Sequence, residues 1–134
     1  MTKIADVEGI GEAYAQKLAE AGIATTQALL EKAATPKGRK EVAAKTAIGD
    51  ALILKWVNHV DLSRIKGIGS EYADLLEAAG VDTVVELAKR VPANLSKKMA
   101  EINLEKKLVR KLPAESRVTD WVAQAKKLPR IIKY

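Results

Sequence analysis

Two short stretches hold the residues best placed to do chemistry. Ile65-Lys66-Gly67-Ile68-Gly69-Ser70-Glu71-Tyr72 repeats, 58 positions on, the pattern Val7-Glu8-Gly9-Ile10-Gly11-Glu12-Ala13-Tyr14. A glycine, an aliphatic residue and a second glycine make a tight turn, and the second glycine opens a helix whose first amides have no partner. Those amides, with the positive end of the helix dipole, suit an anion, most naturally a phosphate. In the second copy Lys66 precedes the turn and Ser70 follows it, so Lys66, Gly67, Gly69 and Ser70 form the candidate nucleic-acid contact, opposed only by Glu71. In the first copy Glu8 and Glu12 flank the glycines and repel a phosphate. Gly9, Ile10 and Gly11 are therefore read as a structural hairpin, the role that Gly67, Ile68 and Gly69 also fill as a turn.

Charge adds a second component. Residues 97–134 carry 11 Lys/Arg against four Asp/Glu, whereas residues 1–96 carry 12 against 13. A basic final third suits an anionic partner, with Lys97, Lys98, Lys106, Lys107, Arg110 and Lys111 as its chief cations. A solvated helix surface rich in lysine accounts for the same charge.

Other chemistry is poorly provided for. There is no cysteine and only one histidine, His59, so thiolate sites, disulfides and imidazole clusters are excluded. A Ser-His-Asp set would have to use His59, which lies beside the apolar stripe of the Trp56 helix and is read as a structural or surface residue. No phosphate-binding loop or dinucleotide fingerprint is present. Carboxylate pairs such as Glu71 and Asp74 have the spacing of exposed helix faces. The expectation is a protein with no enzymatic activity, no cofactor and no metal. The absence of cysteine is compatible with a reducing cytoplasm. No apolar run reaches the ~20 residues of a membrane span, and no secretory leader follows Met1.

The elements that position the hairpins read as helices. Between residues 9–29 and 67–87, ten of 21 positions are identical, including Tyr14/Tyr72, Leu18/Leu76, Gly22/Gly80 and Thr25/Thr83. Apolar residues after each hairpin follow a helical period up to Gly22 and Gly80, each placed to end a helix. Thr25 and Thr83 are N-caps for the next helices, and Thr35-Pro36 closes the first of them. Residues 37–49 suggest a short helix, and Asp50 caps one bearing Ile53, Trp56, Val57 and Val60 on one face. Pro92 starts a helical stretch that continues from Asn94 to Leu112, with a break near Asn103-Leu104. Ser116 is the expected cap of a last helix, whose Val118, Trp121, Val122 and Ala125 reproduce the earlier tryptophan face at an offset of 65 residues. The two tryptophan faces suit a core, or an anchor for a partner. The tyrosines suit aromatic packing or a partner surface. No segment alternates with period two, so the fold is expected to be all-α.

In Gly9, Ile10, Gly11, Ala15, Leu18 and Gly22-Ile23, and again in Gly67, Ile68, Gly69, Ala73, Leu76 and Gly80-Val81, the chain resembles the helix-hairpin-helix family. More narrowly it resembles a bacterial family of tandem helix-hairpin-helix-like proteins of unknown function, over nearly its whole length, including Lys55-Trp56-Val57-Asn58-His59. The resemblance implies two tandem repeats packed into one helical domain with a short extended tail: residues 1–60 with the first tryptophan helix, and 61–134 with the second and the tail. It further implies sequence-independent binding to a nucleic-acid backbone, DNA above all.

The alternative is a protein-interaction or self-assembly module. Leu62-Ser63-Arg64-Ile65, which leads into the second hairpin, aligns with Leu128-Pro129-Arg130-Ile131. The tail therefore looks like the start of a third repeat, and Leu128, Arg130, Ile131, Ile132 and Tyr134 are candidate self-association residues that would build rings or filaments.

Overall fold

The computed structural model describes residues 3–7 and 9–133. The described residues form eight α-helices and no strand beyond a single Lys3–Thr25 bridge. In order they are a 3-10 turn Ile4–Asp6, α1 Gly11–Glu20, α2 Thr26–Lys32, α3 Pro36–Thr46, α4 Asp50–Leu62, α5 Ser70–Ala78, α6 Val84–Ala88, α7 Pro92–Lys106 and α8 Glu115–Lys127. They divide into two units, residues 1–61 with 131–134, and residues 62–130.

Each unit buries its own aliphatic core around one tryptophan. In the first, Leu18, Ile23, Leu29, Ile53 and Val57 surround Trp56; in the second, Leu75, Leu76, Leu87, Met99 and Val118 surround Trp121. Both tryptophan faces are thus core, as their spacing suggests. Each ring meets the tyrosine that follows its hairpin: Tyr14 and Trp56 have centroids 5.1 Å apart, Tyr72 and Trp121 5.3 Å.

Local bonds recur with the repeat. Val7 N to Ile4 O and Ile10 N to Val7 O in the first hairpin become Ile65 N to Leu62 O and Ile68 N to Ile65 O in the second. Thr25 accepts from Ala28 N and Thr83 from Glu86 N, as expected of N-caps. Lys32 reaches Gly22 O at 3.3 Å, and Arg90, 58 positions later, reaches Gly80 O at 2.9 Å. One cation in each unit thus satisfies a carbonyl left over where a helix ends at glycine.

The units differ where the sequence offset changes. Relative to the first unit, α6 is two residues shorter than α2, α7 is four longer than α3, and the loop 107–114 is five longer than 47–49. Lys107, in the left-handed conformation at φ 51°, ends α7. Asn103 then closes the loop by donating to Val109 O at 3.1 Å and accepting from Val109 N at 3.0 Å. The expected helical stretch to Leu112 therefore stops at Lys106.

Three further boundaries depart from the sequence reading. Thr35 caps α3 by accepting from Gly38 N, so Thr35-Pro36 starts a helix as well as stopping one. Gly49, not Asp50, precedes α4 and receives its first amides, from Leu52 and Ile53. Ala114 stands at the N-cap of α8, with Ser116 inside the first turn.

Past Arg130 the chain returns to the first unit. Ile132 is buried in the first core, with Ile131 packed beside it. Lys133 N donates to Ala34 O at 2.7 Å, and the buried Arg39 donates to Lys133 O at 2.8 Å and to Ala33 O at 3.0 Å. Arg39, which reads in the sequence as part of a basic cluster with Lys37 and Lys40, is instead a buried clamp on two backbone carbonyls.

Candidate functional site

The two glycine hairpins have different backbones. In the first, Gly9 (φ 91°) and Gly11 (φ 64°) are both left-handed, and α1 starts at Gly11 itself. In the second, only Gly67 (φ 102°) is left-handed; Gly69 is an extended N-cap and α5 starts at Ser70. The first helical bond of α5 is Ala73 N to Gly69 O, so the amides of Ser70, Glu71 and Tyr72 precede it. A side chain on Gly69 would meet nothing within 4 Å, so that backbone lies open to approach. Glu8 lies outside the described residues.

The turn is fixed from below by α8. Lys66 N donates to Gln124 Oε1 at 2.9 Å, and Gln124 Nε2 donates back to Lys66 O at 3.2 Å and to Asp120 Oδ2 at 2.8 Å. A Cβ at Gly67 would stand 3.0 Å from Trp121 Nε1, so only glycine lets the turn lie this close to the indole. The Arg117 guanidinium lies 5.6 Å from the Tyr72 ring centroid and 5.7 Å from that of Trp121, with Nη2 3.5 Å from Gly67 O. Around these groups is an open pocket of about 650 Å³, lined by Lys66 and Gly67 from the turn and by Ser116, Arg117, Asp120, Trp121 and Gln124 from α8.

The other expected cations lie in the same unit, all exposed. Lys97, Lys98 and Lys106 are on α7, which packs against α5, while Lys107, Arg110 and Lys111 follow in the loop. One bond ties that loop to the hairpin helix: Tyr72 donates its hydroxyl to Lys111 O at 3.2 Å. Of the tail residues named for self-association, Leu128 packs on the second core and Ile131 and Ile132 on the first; Arg130 is exposed, and Tyr134 is outside the described residues.

Arg117 and Gln124 are absent from the sequence-derived set. Each falls one helical turn from Trp121 on α8, a spacing that is informative only once the hairpin is known to rest on that helix. His59 is buried, in keeping with a structural role.

Fold and site together define an all-helical protein with an internal duplication, in which each glycine turn is held against a buried tryptophan. The chain belongs to the family described as Domain of unknown function (DUF4332), whose model matches residues 8–128 and so takes in both hairpins. Comparison with curated proteins and with solved structures returned no match. Among the described residues no helix is long and apolar enough to cross a membrane.

Proposed function

We propose that this protein is a non-enzymatic nucleic-acid-binding module that grips the phosphate backbone without reading sequence, built as two helix-hairpin-helix repeats of which the second makes the contact. The observation that carries the reading is the second hairpin: three amides ahead of the first bond of α5, an open approach at Gly69, and the backbone of Lys66 anchored beside them. Exposed Lys97, Lys98, Lys106, Lys107, Arg110 and Lys111 supply the longer-range attraction in the same unit. DNA is the favoured partner and the cytoplasm the favoured compartment.

Titration of a labelled random-sequence duplex at two salt concentrations tests the reading. Binding should weaken steeply, with log K falling by about 0.9 per phosphate contacted for each tenfold rise in salt. No binding at micromolar protein in low salt would end it.

A second reading, self-assembly, draws on segment 128–133. The slot that holds Ile132 and Lys133 offers a second copy of the chain the contacts it offers here: a buried apolar site, Ala34 O and the Arg39 guanidinium. Exchange of the segment between copies would build dimers or longer chains. Light scattering across a wide concentration range, on the full chain and on a truncation after Leu128, checks this. A full-length protein that stays monomeric throughout rules it out.

A further inference from the structure

The side chains that line the pocket under the second hairpin differ in type from those at the matching positions of the first unit, although the surrounding architecture repeats. Trp56 and Trp121 both hold their indole Nε1 against the first glycine of the turn, 3.6 Å and 3.0 Å from where a Cβ would stand on Gly9 and Gly67. With that register fixed, Ser116, Arg117, Asp120 and Gln124 correspond to Ala51, Leu52, Lys55 and His59, and Lys66 corresponds to Glu8. Leu52 packs on the first core, whereas Arg117 is exposed and lies beside two aromatic rings. The second unit has replaced a packing residue with a cation beside two rings, a neutral small residue with a hydroxyl, and an acid with a lysine, while the lysine at position 55 has become Asp120.

We infer that this pocket is a phosphate subsite in which Arg117 is the principal cation and Ser116 and Lys66 are further donors. The inference deepens the nucleic-acid reading and rests on it for the source of the phosphate.

Three features support this ligand chemistry. The rings of Tyr72 and Trp121 restrain the guanidinium while leaving its N–H groups to an oxyanion, and its protein acceptor, Gly67 O at 3.5 Å, is at the outer limit of a hydrogen bond. The donors come from two segments, the turn and the first turn of α8, and a guanidinium among them can meet a phosphate with two parallel N–H···O bonds. The acid in the pocket, Asp120, already accepts from Gln124 at 2.8 Å, and that amide also holds the Lys66 backbone. The opposing carboxylate is thereby committed to supporting the turn. It still lowers the local potential, so its removal should strengthen binding.

The test uses the full chain, Arg117→Leu (the residue type of the first unit) and Asp120→Asn, each checked for an unchanged thermal transition. Duplex affinity is measured across salt, and inorganic phosphate is titrated by amide NMR against chloride at matched ionic strength. The expected result is saturable phosphate shifts at Lys66, Gly67 and Arg117 that disappear in R117L. With them should come a duplex salt slope smaller by about 0.9 in R117L and tighter duplex binding in D120N.

If the duplex binds with the same slope and affinity in wild type and R117L, the subsite is overturned and the nucleic-acid reading stands. If phosphate saturates the pocket and R117L abolishes this, but no duplex binds, the subsite stands for a free phosphate and the nucleic-acid reading falls. If neither ligand acts on wild type, both fall. Should R117L fail to fold, D120N decides the matter: unchanged or weaker phosphate binding overturns the subsite.

Discussion

The two glycine hairpins were built from one pattern, and their divergence separates what the fold demands from what it leaves adjustable. Both keep a left-handed first glycine against an indole, a tyrosine on that indole, and a threonine-capped helix further on. They differ in the second glycine, left-handed at Gly11 and extended at Gly69, and in every polar residue around the second pocket. Core and cap are therefore the shared requirement of the turn. The charge around it is free to change: in the second unit an acid has become Lys66 and a leucine Arg117, while a lysine has become Asp120.

The largest expected effect concerns a contact that only the first unit has. Ile132→Ala should destabilise that unit by about 2–5 kcal/mol, because it empties a buried site. Hydrogen exchange at Leu29 and Val42 should quicken while exchange at Leu76 and Leu87 stays slow. Equal loss in both sets would show that the units unfold together and would break the comparison.

Next comes the turn itself. Alanine at Gly9 or Gly67 must adopt a left-handed backbone, which costs roughly 1–2 kcal/mol. Gly67→Ala additionally forces a Cβ to 3.0 Å from buried Trp121, against 3.6 Å from Trp56 for Gly9→Ala. Denaturant melts should rank Gly67→Ala as the more damaging, and the reverse order would mean that the second turn yields more readily. Smallest is the feature the units share most closely. Thr25→Ala and Thr83→Ala should each cost about 1 kcal/mol, and a clear inequality between them would sharpen the contrast by showing that even the common caps are weighted differently.

The duplication, the two tryptophan faces and the threonine caps were legible in the sequence because each rests on local spacing: 3.6-residue periodicity, or a hydroxyl three residues before an amide. Thr35-Pro36 was half legible, since the same pair reads as a stop and as a start. The end of α7 depended on Asn103 reaching Val109, a side-chain bond that no periodicity encodes. Arg117 was hidden for a related reason. Its place beside Gly67 follows from α8 supporting the hairpin, and only comparison with Leu52 at the matching position marks it as unusual. The destination of Ile132 was likewise invisible, because nothing in Arg130-Ile131-Ile132-Lys133 points to a partner 94 residues back in the chain.

That long reach bears on how the protein is made. Every residue of the second unit, 62–130, is synthesised before Ile132 and Lys133, so the first core gains Ile132, and Arg39 the Lys133 carbonyl, only after the second unit's sequence is in place. Domains generally fold in the order of their synthesis. Here the unit whose synthesis begins first needs residues that follow the second unit, across a 94-residue separation of the non-local kind that is slow to close.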